Sequence, residues 1–259
     1  MGVFDSFRLT GRRALVTGGS RGLGRAMAGA LAEAGAALVL VGRDSDALKT
    51  ARDELRQDGC DVDMIVADVG TPAGAAAACD EALSLDKPID ILVNNVGGRR
   101  ADVALEDVSI ADWKSFFDLN LTSALVCCQK LGQPMLDRGR GSIVNVTSIA
   151  GPIAIRGIGG RHYEAAKAAL AALTRSLAAD WADRGVRVNA IAPGVFATGP
   201  NRKWFAEKPD FEASFRDHIP MGRFGEPAEL GPTALFLASD ASSYMTGATL
   251  VLDGGFTLW

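Results

Sequence analysis

The chain has 259 residues, 48% of them hydrophobic and 22% charged, with a formal net charge of −4. That length and balance fit one α/β domain with a sizeable core. No run of one charge sign builds the basic stripe a nucleic-acid surface needs, and no apolar run is long enough to span a bilayer.

Short β-branched runs alternate with longer helical patterns. The pattern predicts a first strand over residues 13–17, a helix over 22–33 ended by Gly35, and an all-apolar strand over 38–41. A charged amphipathic helix over 44–57 follows, then a strand over 62–67, a helix over 73–85 and a strand over 89–93. Next come one long helix from near Ser109 to about Leu136, a strand over 142–146, a helix over 162–181 and a strand over 186–191. Residues 196–225 are rich in Pro, charge and aromatics and read as an irregular or helical insertion. A helix over 227–237 and a last strand over 249–252 close the chain. Strand and helix in strict alternation imply parallel strands in an open, doubly wound α/β sheet of the Rossmann type, as a single domain over 1–259. Ligands of such sheets bind at the carboxyl ends of the strands.

Four cysteines without a C-x-x-C pair read as reduced, packed thiols and favour a cytoplasmic setting. Two histidines are too few for a His-rich metal site, and no Cys/His spacing suits zinc, so no metal is expected.

Two local patterns carry chemistry. The first strand runs into Thr17-Gly18-Gly19-Ser20-Arg21-Gly22-Leu23-Gly24, where a helix begins. Glycines let backbone approach a phosphate closely, and a helix N-terminus offers it free N–H groups. Further on, Tyr163-Glu164-Ala165-Ala166-Lys167 places a phenol and an ammonium one helical turn apart. A nearby positive charge favours phenolate, so the pair can serve as a proton donor to a carbonyl or an acceptor from an alcohol.

Thr-Gly-x-x-x-Gly-x-Gly, followed in order by Asn94-Asn95-Val96-Gly97, Asn120, Ser148, Tyr163-x-x-x-Lys167 and Pro193-Gly194, resembles the short-chain dehydrogenase/reductase family from Arg12 to Gly255. The resemblance implies Tyr163 as acid/base, Lys167 lowering its pKa and binding the nicotinamide ribose, Ser148 bonding the substrate oxygen, and Asn120 holding a water. It also implies a nicotinamide site built from Gly18, Ser20, Arg21, Gly22, Leu23, Gly24, Asp68, Val69, Asn95, Val96, Gly97, Tyr163, Lys167, Pro193, Gly194, Phe196 and Thr198. Val96 stands where alanine is usual. The stretch from Ser148 to Tyr163 is slightly long, and Arg161-His162 replace smaller or apolar residues.

An acidic residue ending the second strand would bind the adenosine ribose hydroxyls; here Gly42-Arg43 stand there. Arg43, with Arg21, is placed for a 2′-phosphate, so NADP(H) is expected over NAD(H). Asp44 is either a helix cap or a ribose ligand, and Asp68 either an adenine contact or a cap.

For the substrate, Arg99 and Arg100 are candidates to clamp a carboxylate, joined by Ser148, Arg161 and His162. Together with Asn201-Arg202 and Gly222-Arg223-Phe224-Gly225-Glu226-Pro227, this region is similar to gluconate 5-dehydrogenase-type members, which implies a small carbonyl or alcohol such as gluconate and its keto form. A 3-oxoacyl carrier-protein reductase and a non-catalytic NADP-sensing protein are the alternatives. The stretch 196–225 is expected to act as a substrate lid, and the resemblance implies a homotetramer with the apolar tail at an interface.

Overall fold

In the computed structural model, which describes residues 2–99, 103–155 and 159–258, seven parallel strands form one sheet in the order β3-β2-β1-β4-β5-β6-β7. They are β1 (Arg13–Thr17), β2 (Ala37–Gly42), β3 (Val62–Val66), β4 (Ile91–Asn94), β5 (Gly141–Val146), β6 (Val186–Pro193) and β7 (Thr249–Leu252). The order turns back between β1 and β4, so the crevice of a doubly wound sheet opens there.

Residues of β1 alternate between two cores. Ala14 and Val16 join Met27 and Leu31 of α1 (Gly22–Glu33) and Leu48 and Leu55 of α2 (Ser45–Gln57). Leu15 faces the other way, toward Cys79 of α3 (Pro72–Leu83) and Leu131 and Met135 of α5 (Ser123–Asp137). Strands buried on both faces read as unbroken apolar runs, which is why β1, β2 and β4 show no polar alternation. The edge strand β7 exposes alternate residues instead.

Helix ends follow the local chemistry. The Asp44 carboxylate accepts from the Ala47 N–H at 3.1 Å and caps α2. Thr71 caps α3, with Pro72 in its first turn. Gly35, at φ +94°, ends α1 in a conformation that side chains avoid. The cysteines are free thiols, three of them buried.

Two regions depart from the expected elements. The single helix over 109–136 is α4 (Ile110–Phe117) and α5 joined by a π-helical turn, Asp118–Thr122. Residues 196–225 hold two short helices, α7 (Gly199–Ala206) and α8 (Pro209–Asp217). Phe205 and Phe215 pack there with Phe224 and Phe256, ring centroids 4.6 Å apart for Phe205–Phe224 and 5.0 Å for Phe215–Phe256. Phe256, in the tail expected at a subunit interface, is partly buried against Phe215 of its own chain, while Leu258 is exposed; Trp259 lies outside the described residues. Helix α6 (Arg161–Trp181) follows Gly160 in the left-handed region, φ +84°, and α9 (Gly231–Ala238) packs on α1.

Candidate active site

A cleft of about 700 Å³ opens over the carboxyl ends of β1, β4, β5 and β6. It gathers Arg21, Gly22, Leu23, Asn95, Gly97 and Arg99. Ser148, Tyr163, Lys167, Pro193, Gly194, Phe196 and Thr198 line the same cleft. A wider depression between the N-terminal turn and α1 shares only Gly22 with it and holds none of the expected catalytic side chains.

The glycine loop is bare backbone by necessity. Gly18 and Gly22 have φ +66° and +56°. A Cβ on Gly18 would sit 2.8 Å from Asn95 Nδ2, and one on Gly24 only 2.1 Å from the Gly18 carbonyl oxygen. Asn95 Nδ2 donates to Thr17 O at 3.0 Å, while Thr17 Oγ1 accepts from the N–H groups of Asn95 and Val96 at 2.9 and 3.1 Å. Thr17 therefore bolts the loop after β4 to the glycine loop. Sequence reasoning left it out of the site, although a threonine closing an apolar strand just before the glycines was the available signal. The loop opens onto the N-terminus of α1, whose N–H groups and dipole fit a pyrophosphate. Thr198, which caps α7, lies 3.7 Å from the Cβ position of Gly22, so α7 begins above this loop.

At the end of β2, Arg43 is more than half exposed and faces Asp68 Oδ2 at 3.7 Å. Asp68 Oδ1 accepts from Gly70 N–H, so Asp68 is not the cap of α3; Thr71 is. Asp44 caps α2 through its Oδ1. Val69 is only 2% exposed, within the core, and offers little side chain to a ligand. Val96 leans on that same core, which accommodates its extra methyl groups. Ser20 lies at the tip of the glycine turn, outside the cleft wall.

Lys167 is buried, and its Nζ donates to Val146 O at 2.8 Å. Burial pushes its pKa down to about 8. Asn120 sits in the π turn and is also buried; its Oδ1 accepts from Gly98 N–H at 2.8 Å and its Nδ2 donates to Phe116 O at 3.1 Å. A Cβ on Gly97 would touch both Asn120 Oδ1 and Lys167 Nζ, each at 2.8 Å, so these two polar groups flank one glycine. Single π turns recur at functional sites.

Ser148 follows β5, and its Oγ accepts from Ala150 N–H at 3.1 Å. Burial raises the Tyr163 pKa above the ordinary value, while the Ser148 hydroxyl and then Arg99 pull it down. This differs from the expectation that Lys167 sets the phenol. Lys167 Nζ is turned to a carbonyl and lies 5.9 Å from the ring centroid, whereas Arg99 Cζ lies 5.0 Å from it.

The expected substrate residues fare unevenly. Arg99 lines the cleft but its guanidinium is engaged, donating to Gly159 O and, at 3.5 Å, to Glu164 Oε1. Arg161 does not line the cleft and binds the same carboxylate, at 2.7 and 2.8 Å from its two oxygens, and Ile155 O at 3.3 Å. His162 is 1% exposed and packs edge-on against Phe116 of α4, centroids 3.8 Å apart, so it is a core residue and not a substrate ligand. Burial, then the Arg99 charge, lowers its pKa. Arg100 and Gly157 lie outside the described residues. Arg202 of α7 donates from one nitrogen to both Glu226 oxygens, and Arg223 forms a bidentate pair with Glu229 in the next turn.

Residues 18–257 match the family model described as Enoyl-(Acyl carrier protein) reductase. The chain is 44% identical to galactitol 2-dehydrogenase (L-tagatose-forming) of Cereibacter sphaeroides and 39% identical to gluconate 5-dehydrogenase of Gluconobacter oxydans, covering 98% of both chains in each case. The crystal structure of a gluconate 5-dehydrogenase from Burkholderia cenocepacia, in complex with NADP and tartrate, superposes with a TM-score of 0.92 at 39% identity over 100% of both chains. The chain belongs to the short-chain dehydrogenase/reductase family. It is an oxidoreductase that acts on alcohol and ketone groups with a nicotinamide cofactor.

Proposed function

We propose that the protein is an NADP(H)-dependent oxidoreductase that interconverts a secondary alcohol and a ketone on a small polyhydroxylated substrate, a polyol or a sugar acid of the gluconate/5-ketogluconate kind. The observation that carries the reading is the convergence of Ser148, Tyr163 and Lys167 in one cleft with Arg21, Gly22 and Leu23 of the glycine loop.

Gly18, Ser20, Arg21, Gly22, Leu23 and Gly24 hold the pyrophosphate, and Asn95, Val96, Gly97, Pro193 and Gly194 surround the nicotinamide half. Arg43 and Arg21 meet the 2′-phosphate with charge-assisted hydrogen bonds. Asp68 and Val69 border the adenine. Bound there, the nicotinamide supplies or accepts the hydride. The chain's own groups handle the proton. The Tyr163 hydroxyl donates to the substrate oxygen as negative charge grows on it, or accepts from an alcohol in the reverse direction. Ser148 donates a second hydrogen bond to that oxygen, and such preorganised donors are most effective where charge develops. Lys167 orients the ribose, and Asn120 holds the polar end of the proton path.

Ile155, Val195, Trp204, Phe205 and Phe215 complete the cleft, giving apolar and aromatic faces for the C–H side of a sugar chain. Helices α7 and α8 close over it as a lid. An acyl carrier partner would need a basic docking face. Arg202 and Arg223, near the lid, are neutralised by Glu226 and Glu229, which favours a small substrate. A homotetramer, as the resemblance implies, is the expected assembly.

The test is cofactor oxidation at 340 nm, with NADPH and NADH separately, across ketoses, keto sugar acids and acetoacetyl thioesters. The reading expects turnover with NADPH on ketoses or keto sugar acids. Turnover confined to thioesters, or a preference for NADH, contradicts it.

A further inference from the structure

Glu164 lies inside the tyrosine–lysine motif, yet it does not line the cleft and its carboxylate holds two arginines. Arg161, three residues earlier on α6, binds both of its oxygens, and Arg99, from the loop after β4, reaches Oε1 at 3.5 Å. The Ile155 N–H also points to Oε1 at 3.4 Å, and a second guanidinium nitrogen of Arg99 donates to Gly159 O. Glu164 is buried, 8% exposed. Two cations share one anion here, so a single net positive charge remains beside the motif. The clasp leaves Arg99 Cζ over the face of the Tyr163 ring, 5.0 Å from its centroid.

We propose that Arg99, fixed by Glu164 and Gly159, is a positioning residue for Tyr163: a permanent cation over the phenol that stabilises its ionised form. The proposal rests on the reading of Tyr163 as the acid/base and deepens it. The attraction between a guanidinium and an aromatic face is electrostatic, and it strengthens as the ring oxygen gains negative charge. A guanidinium stays protonated throughout the working pH range, whereas a buried ammonium loses its proton readily. Lys167, at 5.9 Å and with its pKa near 8, cannot supply that charge in alkaline solution, where alcohol oxidation is most favoured. The charged and titratable described groups around Tyr163 are Lys167 on its own helix, Arg99 from the β4 loop, and Glu164 with Arg161 behind Arg99. His162 faces α4. Ser148 supplies the one neighbouring hydroxyl that acts on the phenol.

This arrangement also reassigns Arg99 in substrate binding. Its two terminal nitrogens are each engaged, with Gly159 O and with Glu164 Oε1, which orients the guanidinium away from acting as a free two-pronged carboxylate clamp. Within the polyhydroxylated class, uncharged polyols and ketoses then need no counter-charge from it.

The chain has two tyrosines, and Tyr244 is fully exposed. In a Tyr244→Phe background, tyrosine labelled with 13C at the hydroxyl-bearing ring carbon reports Tyr163 alone. Its NMR titration is followed in the full chain, with and without NADP+, for Arg99, Arg99→Gln, Arg99→Met and Arg99→Lys. A cation at this range shifts an acid by about one unit or more. The Tyr163 pKa is therefore expected to rise by about one unit in Arg99→Gln and Arg99→Met, and to return toward wild type in Arg99→Lys. The alkaline rise of kcat for alcohol oxidation should move with it. An unchanged Tyr163 pKa in the neutral variants overturns the proposal, and equal pKa values in Arg99→Met and Arg99→Lys do so if Arg99→Gln does not fold. Retained turnover in Tyr163→Phe would instead overturn the acid/base reading, so the two failures are distinguishable.

Discussion

The two halves of the cleft are built by different means. On the nucleotide side, one contiguous stretch from β1 through the glycine turn into α1 makes the surface from backbone: contacts at Gly18 and Gly24 admit no Cβ, and Gly22 is set by its positive φ. On the substrate side, the surface is made of side chains brought together from distant positions. Arg99 meets Glu164 across 65 residues, Ile155 lines the cleft, and the lid aromatics rest on Phe256. Backbone surfaces serve one cofactor shared by many enzymes, whereas side-chain surfaces can change with the substrate while the fold stays fixed.

The largest effect expected from this contrast is on the buried charge where the halves meet. The folded-state pKa of Lys167, about 8, lies below its ordinary value of 10.5. Between those two values the unfolded chain binds the proton and the folded chain does not, so the stability of the wild type rises with pH across that window. Each pKa unit is worth about 1.4 kcal/mol, which makes the gain on the order of 3 kcal/mol relative to Lys167→Met. Denaturant melts of both proteins at pH 7 and pH 10 measure it. A stability difference that is the same at both pH values would mean that Lys167 is not penalised by burial.

A smaller effect is expected in the glycine loop. Gly24→Ala drives a methyl group against the Gly18 carbonyl and the Asn95 amide. Overpacking of this kind costs about 1–3 kcal/mol, or roughly 10- to 100-fold in NADPH affinity if the loop absorbs it. Equilibrium fluorescence titration measures that affinity, and wild-type binding would show that the loop has room. The same substitution should leave the intrinsic fluorescence of the lid, at Trp204, unchanged.

The smallest expected change is one of preference. Arg43→Asp replaces an exposed cation with an anion, removing a charge-assisted hydrogen bond worth about 1.5 kcal/mol or more, so NADPH should lose roughly tenfold in kcat/KM against NADH. An unaltered ratio would move the phosphate contact elsewhere, with Arg21 the next candidate.

The same contrast explains what could be read from the sequence. The strands β1, β3, β5 and β7 lie within a residue or so of their expected ends, because short β-branched or apolar runs between turn signals mark a strand whether one face or both are covered. The glycine loop was legible because few other residues tolerate its φ angles. The π turn at Asn120 was not, since one extra residue in a helical turn barely disturbs a 3.6-residue pattern. The two lid helices were obscured because short helices carry too few turns to declare a period. His162 looked like a ligand by type and position, but its first-turn placement on α6 aims it at Phe116. The Glu164 clasp was half visible: Arg161 and Glu164 are three apart on a helix and must be neighbours. Arg99, the other half, comes from a different strand end, and nothing local announces that meeting.

Tyr163 stands where the backbone-built and side-chain-built halves join, and its hydroxyl carries the functional account. The most direct measurement compares Tyr163→Phe with wild type in two assays on the same sample: NADPH binding by fluorescence, and single-turnover loss of absorbance at 340 nm with a ketose or keto sugar acid that the wild type reduces. NADPH affinity should be unchanged within a few-fold, and the rate of the chemical step should fall by about 10²- to 10⁴-fold, the usual contribution of a positioned acid. A variant that binds NADPH and reduces the substrate at the wild-type rate would contradict the account.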